Sequence, residues 1–506
     1  MKQESPPAWV RLGLLLGRKA DYAAAHEAFA KAESLYNTSG NLAGVTEVNV
    51  HRAAVLMLQG QVQEAQLTLE KALKLANTTG FESQRIRILM RHGVLSRLNE
   101  DSVEAERYAS EALALANENR MEQYTVDGLM DLGNVYLQKR DLPNAEKHYS
   151  SALRIARSLN SRIHEARAVA SIASVRSLQS RLDDARAGAE KALAFYRSAG
   201  YQREMVSVLT LLAQIRTLAG DFTGALAAFE EQLKLTEPSN ARAVASMHLR
   251  IGIALLNLER FSESLNHLDA ALSAPDSATR AYAALNRAEV LVATGDISGA
   301  RQILANEKDL EEPTQMVVKR AAAVKAMASF QEGRYQDAVR QSAAAARRLG
   351  DSDTVLASRI RALEALAVAH AGDTAAAQRL CDKISSAPGD LRTSAITALR
   401  CAEVQLLAGK LETARSLAAR AGNLFAQFGQ PEAQWRACTL EASALGSSDS
   451  AARNAECDNI RNTIPTRWGK QLWDRYLTRP DVTARLARVA RTKPQQARLS
   501  NKEDRR

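Results

Sequence analysis

The sequence predicts an all-α protein built as an α-solenoid, a right-handed superhelix of about eleven helix-turn-helix repeats with C-terminal capping helices. Two series of small residues predict this fold, because they recur together at a period of about 40 residues with turn residues between them. The composition agrees, since Gly and Pro number only 25 and 11 and aromatic residues make up 5% of the chain. Such a composition favours many helix contacts through small side chains over one large core.

The first series, called the anchor series here, places a small residue at eleven positions. Its members are Ala25, Ala65, Ala105, Ala145, Ala185, Ala225, Ser264, Ala300, Ala338, Ala377 and Ala414. The first six are 40 residues apart and the later ones are 36 to 39 apart. A spacing this regular indicates a repeated structural unit in which each repeat packs on the next.

The second series stands twelve residues before each anchor and contains only Gly or Ala. Its members are Gly13, Ala53, Gly93, Gly133, Ala173, Ala213, Gly252, Ala288, Ala326, Ala365 and Ala402. One small residue on each of two helices joined by a short turn is typical of close helix packing, because a larger side chain would separate the backbones. Each repeat is therefore predicted to be a helical pair.

The turn between the two helices carries Gly followed by a charged residue, as in Gly220-Asp221 and Gly295-Asp296. Gly at the end of the first helix takes the left-handed conformation, and Asp caps the second helix. The second helix is expected to end fifteen residues after the anchor. The residues at that position are Gly40, Gly80, Asn160, Gly200 and Asn240, with Arg120 as the exception.

This pattern resembles a tetratricopeptide repeat array over about residues 7 to 430. The matching residues are Trp9, Leu12, Gly13 and Leu16 with Ala25 and Phe29, and again Leu129, Leu132, Gly133 and Tyr136 with Ala145 and Tyr149. The mean period of about 39 residues exceeds the usual 34. The chain therefore resembles the long-period variant found in the repeat arrays of large bacterial signalling and regulatory proteins.

Three regions are expected along the chain. Residues 1–430 hold the repeats, 431–480 form a helical cap that contains Trp468 and Trp473, and 481–506 form a basic tail that is partly disordered. Eight Lys or Arg against two Asp or Glu from Val482 onward account for +6 of the net charge of +10. The repeats are thus nearly neutral, which argues against a nucleic-acid partner.

Other functional classes find little support in the sequence. The apolar run near the N-terminus is interrupted by Arg11 and suits a first helix better than a signal peptide, and no stretch reaches the roughly 20 apolar residues of a membrane span. The eight His form no metal-binding spacing, and no His follows His370, so we expect no metal, no cofactor and no enzymatic activity. The four Cys form no C-x-x-C pair, which favours buried thiols in a reduced, cytoplasmic chain.

Stacked repeats place the first helix of each pair along a concave surface, where inward side chains meet a partner. In repeats three to five those positions carry Arg87, Arg97, Asp127, Asn134, Gln138 and Arg167. Arginines and polar donors suit a peptide with some acidic character, and plain solvated surface is the alternative for each residue. The resemblance implies that Asn134 holds the backbone of a bound peptide. We expect all six side chains to lie outside the core.

The leading hypothesis is a non-enzymatic scaffold that binds a peptide or partner protein in the concave groove. The alternative is a sensory or regulatory subunit whose superhelix binds a ligand or partner and controls a separately encoded kinase, protease or transcription factor. Salt dependence distinguishes either from nucleic-acid binding, since only the latter loses affinity steeply with added salt.

Overall fold

The computed structural model describes residues 5–19, 21–305, 315–349, 354–385, 390–445 and 447–492. Within these ranges the chain forms helices and no strand, and the all-α prediction is confirmed. The chain divides into two compact units, Met1–Val208 and Leu209–Arg506.

The helices of the first unit alternate between first and second members of the repeats. They are α1 (Pro6–Arg18), α2 (Tyr22–Thr38), α3 (Leu42–Leu58), α4 (Val62–Thr79), α5 (Glu82–Leu98), α6 (Ser102–Glu118), α7 (Glu122–Gln138), α8 (Leu142–Ser158), α9 (Arg162–Leu178) and α10 (Leu182–Ala199). The division falls within the next helix, α11 (Gln202–Leu218). Each odd-numbered helix from α1 to α9 packs on the helix that follows it.

The second unit continues the same alternation. Its helices are α12 (Phe222–Leu235), α13 (Ala241–Asn257), α14 (Phe261–Ala271), α15 (Ser277–Thr294), α16 (Ile297–Ala305), α17 (Gln315–Gln331), α18 (Tyr335–Leu349), α19 (Thr354–His370), α20 (Thr374–Ser385), α21 (Leu391–Leu407) and α22 (Leu411–Phe428). Five further helices follow: α23 (Pro431–Ser443), α24 (Ser447–Asn462), α25 (Ile464–Trp468), α26 (Lys470–Leu477) and α27 (Pro480–Thr492).

The anchor residues lie where the helices of a pair come closest. All eleven, from Ala25 to Ala414, have 0% of their surface exposed. The glycines of the second series, twelve residues earlier, differ in how closely other atoms approach the position of an added Cβ atom. A side chain at Gly133 would overlap the ring of Tyr149, and one at Gly252 would stand 2.8 Å from Leu268 Cδ2. Small residues are therefore required where a large one faces them across the pair.

The turns follow the predicted capping chemistry. The carboxylate of Asp221 accepts a hydrogen bond of 2.8 Å from Gly224 N, and Asp296 accepts one of 3.0 Å from Gly299 N. Arg120, the exception in the sequence series, has φ of 53° and takes the same left-handed conformation as Gly80, with φ of 68°. Asn240 instead begins a helix, because its side chain accepts a hydrogen bond from Ala243 N.

The C-terminal helices of the second unit contact residues 259–261, where α14 begins. Phe261, at the start of α14, packs against Trp468 with ring centroids 4.5 Å apart. The carboxylate of Glu259 accepts hydrogen bonds from the backbone N–H groups of Glu432 and Ala433, at 2.6 and 3.2 Å. These contacts join segments about 170 to 210 residues apart in the chain, so the helices of this unit surround an interior space.

The predicted regions 1–430, 431–480 and 481–506 stay a prediction. Within the last of them, α27 extends to Thr492 and buries Val482 and Arg485, while 493–506 lie outside the described residues. None of the helices in the described ranges combines the length and apolar character needed to cross a membrane.

The expectation of free buried thiols is wrong. Cys381 and Cys401 form one disulfide, between α20 and α21, and Cys438 and Cys457 form a second, between α23 and α24. The absence of a C-x-x-C pair favoured free thiols, but the bonded cysteines are 20 and 19 residues apart. Helix packing brings each pair together, with Cα atoms 5.8 and 5.6 Å apart. The cysteines thus no longer support the cytoplasmic prediction.

Candidate functional site

The six residues predicted to bind a partner lie on three consecutive first helices of the first unit. Arg87 and Arg97 belong to α5, Asp127, Asn134 and Gln138 to α7, and Arg167 to α9. Gln138 and Arg167 are exposed and the other four are half-buried. We call this set, together with Glu47 on α3 and with Arg91 and Asp131, the polar strip.

Two of its arginines are already neutralised by neighbouring helices. Arg87 Nη2 lies 3.2 Å from Glu47 Oε1, and Arg167 forms a short ion pair with Asp127. His164 Nε2 also lies 3.7 Å from the Asp127 carboxylate. These pairs join residues 40 apart, one repeat, so they stabilise the stacking of successive first helices as well as lining the surface.

Asn134 and Gln138 are likewise engaged within the protein. The hydroxyl of Tyr149 donates a hydrogen bond of 2.8 Å to Asn134 Oδ1, and Gln138 Nε2 donates one of 3.1 Å to the backbone oxygen of Arg97. Since Tyr149 is fully buried, Asn134 supports the core. The expectation that these side chains are independent of the core is therefore wrong for Asn134, although its amide N–H groups can still donate to a ligand.

Arg91 and Arg97 differ from their neighbours. Within the described parts of the chain neither guanidinium has an ion pair within 4.0 Å, and Arg91 is exposed. The charge of Asp131 on α7 acts on Arg91, and the charges of Arg91 and Arg97 act on Asp131. Burial raises the pKa of Asp131 to about 6, while the charge of Arg97 acts in the opposite direction. Among the described residues, the two cations on α5 thus have no directly paired carboxylate.

A second feature, missed by the sequence analysis, is a cavity of about 650 Å³ inside the second unit. It is lined by the first helices α13, α15, α17, α19 and α21 and by α23. Its charged lining consists of Arg320, Arg359, Arg392, Arg400, Arg436, Arg479, Glu259, Glu289 and Glu432. Arginines therefore outnumber carboxylates six to three, although the chain as a whole is close to balanced.

A periodic signal for this cavity was present in the sequence. Arg320, Arg359, Arg400 and Arg436 follow one another at 39, 41 and 36 residues, which is the repeat period. The position eighteen residues before the anchor, which holds Arg87, Asp127 and Arg167 in repeats three to five, holds Arg320 and Arg359 in repeats nine and ten and Ile396 in repeat eleven. What the sequence could not supply is the closure of the cavity, which depends on contacts such as Glu259 with α23.

Comparisons with known proteins agree with this architecture. The family model of the MalT-like TPR region matches residues 46–321, and that of the tetratricopeptide repeat matches residues 6–39. No curated protein matches the chain. The solved structure of the apo form of RapI is similar with a TM-score of 0.52 at 13% identity, over 76% of this chain and 98% of RapI. The apo form of the quorum sensor NprR from B. thuringiensis is similar with a TM-score of 0.46 at 14% identity, over 68% of this chain and 97% of NprR.

At this level of identity the similarity to RapI supports the fold alone. The family match is stronger, because it extends over more than half of the 506 residues and begins inside the second predicted repeat. The predicted resemblance to tetratricopeptide repeats is confirmed. The chain belongs to the family of the MalT-like TPR region.

Proposed function

We propose that the protein is a non-enzymatic interaction protein whose polar strip binds a peptide segment of acidic character from a partner protein. The tetratricopeptide-repeat fold supports an interaction or regulatory role as a class. The observation that carries the specific proposal is that Arg91 and Arg97 lack an ion pair among the described residues while Arg87 and Arg167 are neutralised.

The chemistry of the strip explains this preference. An arginine that already shares a carboxylate gains little from a second one, whereas a free guanidinium binds a carboxylate bidentately. The charges of Arg91 and Arg97 both act on Asp131 of α7, so a segment laid across α5 and α7 near Asp131 can meet both. The amide N–H groups of Asn134 can then donate to a backbone carbonyl of the same segment. Metal ions and cofactors have no part in this proposal.

Selection from a displayed library of random 12-residue peptides tests it. The intact chain should enrich peptides with two or more Asp or Glu, and the double variant Arg91→Ala/Arg97→Ala should lose that enrichment. Enriched peptides should bind the double variant at least tenfold more weakly. Their binding to the intact chain should weaken only modestly between low and physiological salt, since few charges are paired.

The matched control is Arg186→Ala, because Arg186 is an exposed arginine on α10, the second helix of its repeat, and pairs with Asp183 at 3.1 Å. This variant removes one arginine charge from the same unit and should enrich the same peptides as the wild type. Enrichment of the same acidic peptides by the Arg91→Ala/Arg97→Ala variant would show that the polar strip is not the binding surface.

A further inference from the structure

We propose that the arginine-lined cavity of the second unit is a binding site for a small organic anion that carries at least two negative charges. The site is separate from the polar strip, because all of its residues lie between 253 and 479. A ligand here would suit the alternative hypothesis, a sensory or regulatory subunit whose superhelix binds a ligand or partner.

The size and lining of the cavity suit a small molecule. A volume of about 650 Å³ lies within the range of small-ligand sites, roughly 300 to 1,000 Å³. Apolar side chains from three consecutive first helices, including Met327, Leu363 and Ile396, alternate with the arginines. A ligand that fills this space therefore needs a hydrocarbon part as well as its charged groups.

Three of the six arginines are compensated within the protein. Arg320 Nη2 lies 3.5 Å from Glu289, and Arg359 Nη2 lies 3.3 Å from Asp390. Arg479 Nη2 lies 2.7 Å from Asp481. These three arginines line the cavity, and the charge of each is balanced by a paired carboxylate.

Of the other three, Arg436 has only long ion pairs among the described residues, and Arg392 and Arg400 have none there. In the described ranges Arg392 and Arg400 have no ion pair within 4.0 Å, and Arg400 donates only to the backbone oxygen of Arg359, at 2.5 Å. Arg436 reaches Glu403 and Glu432 only at 3.9 Å. The Nε atoms of Arg392 and Arg436 are buried and have no hydrogen-bond partner among the described residues.

The energetic cost of burying Arg392 and Arg400 favours the binding of an anion. Arg392 and Arg400 are eight residues apart on α21, so they lie on one face two turns apart. Burial, with the charges of Arg436 and Arg359, lowers the pKa of Arg400 to about 9, which shows that its charged form is poorly stabilised. A bound anion would supply the absent acceptors, and two guanidinium groups on one face could hold two carboxylates or one carboxylate and one phosphate.

The three carboxylates of the lining do not fill this role. Glu289 pairs with Arg320, and the hydroxyl of Tyr476 donates to Glu432. Glu259 is directed at the backbone of α23, and burial and the nearby Glu432 raise its pKa to about 8, which lessens its negative charge. The uncompensated positive charge therefore stays within the cavity.

Titration of the full chain with three probe anions tests the proposal. Citrate represents organic carboxylates, fructose 1,6-bisphosphate represents organic phosphates, and inorganic phosphate lacks a hydrocarbon part. Calorimetry and thermal unfolding are followed for each at constant ionic strength set with sodium chloride. We expect saturable binding and a rise in melting temperature with at least one organic anion, and the stronger of the two identifies the charged group.

The variant Arg392→Gln/Arg400→Gln should bind that anion at least tenfold more weakly, whereas Arg420→Gln, which removes an exposed arginine of α22 outside the cavity, should bind it as the wild type does. If the double variant fails to fold by circular dichroism, Arg400→Lys replaces it, since lysine keeps the charge and loses bidentate geometry. Equal binding by the wild type and the cavity variants, or no saturable binding of either organic anion up to millimolar concentrations, would overturn the proposal.

Discussion

The hydroxyl of Tyr149 donates to Asn134 Oδ1 at 2.8 Å, so one side chain of the polar strip also completes the hydrogen bonding of a fully buried residue. Tyr149 in turn occupies the space left by Gly133, against which its ring packs. The helix pair α7 and α8 thus contains both a buried tyrosine that needs a hydrogen-bond partner and the side chain of the proposed binding surface that supplies it.

Asn134→Ala should therefore destabilise the first unit, by about 1 to 3 kcal/mol, because it leaves the Tyr149 hydroxyl buried without a partner. Tyr149→Phe removes the same hydrogen bond without stranding a buried group and should cost less, about 0.5 to 1.5 kcal/mol. Urea unfolding of both variants measures the difference. An Asn134→Ala variant as stable as the wild type would mean that the hydrogen bond contributes nothing in solution.

The glycines of the second series should not respond alike. Gly133→Ala forces the new Cβ into the ring of Tyr149 and should cost about 1 to 3 kcal/mol. At Gly93 the nearest atom to a new Cβ is Ala105 O at 3.6 Å, an ordinary contact, so Gly93→Ala should be neutral or should stabilise by up to about 1 kcal/mol through helix propensity. Hydrogen exchange should place the Gly133→Ala effect in α7, α8 and their neighbours. Equal effects at the two positions would contradict the packing described above.

Acid should destabilise the second unit partly through Glu403. Burial alone would raise the pKa of this carboxyl, but the hydrogen bond with His370 at 3.3 Å and the charges of Arg485 and Arg436 lower it from 4.5 to about 2. The ionised form is therefore favoured in the folded state, and its stabilisation is present above pH 4.5 and lost as the pH falls toward 2.

Glu403→Gln should reduce the loss of unfolding free energy between pH 4.5 and about pH 2, by at most about 3 kcal/mol. Urea unfolding at pH 5 and pH 3, followed by tryptophan fluorescence, measures it, since Trp435, Trp468 and Trp473 all lie in this unit. Glu412→Gln serves as control because the Glu412 side chain is 88% exposed and lies 3.9 Å from Arg415. Identical pH dependence in the wild type and the Glu403→Gln variant would exclude Glu403 as a source of the effect.

The disulfides should be visible in the purified protein. Proteolysis without reductant should yield peptides linked through Cys381–Cys401 and Cys438–Cys457. Replacing one pair by Ser should lower the free energy of unfolding by about 3 kcal/mol, the value typical of loops of this length. Recovery of all four cysteines as alkylated thiols, from protein prepared without reductant, would restore the expectation of a reduced chain.

The sequence by itself determined the repeat. The anchor residues and their partners twelve positions earlier are local constraints, since both lie on one helical pair and must be small for that pair to close. Turn chemistry is local too, which is why the Asp caps at Asp221 and Asp296 could be predicted. Arg120 likewise takes the left-handed conformation that Gly80 has at the equivalent position, and the repeat period does not change. The family assignment rests on the same short-range pattern.

The tertiary structure alone decided which charges are free. Whether an arginine is available to a ligand depends on residues that the repeat pattern does not specify: Glu47 pairs with Arg87, whereas the buried Nε of Arg392 has no hydrogen-bond partner in the described chain. The cavity depends on still longer connections, because it forms only when helices from distant parts of the second unit meet, whereas each disulfide joins two consecutive helices. Local periodicity carries no information about such contacts, since each repeat specifies the packing of its immediate neighbours and the long-range closure depends on the stacking of many.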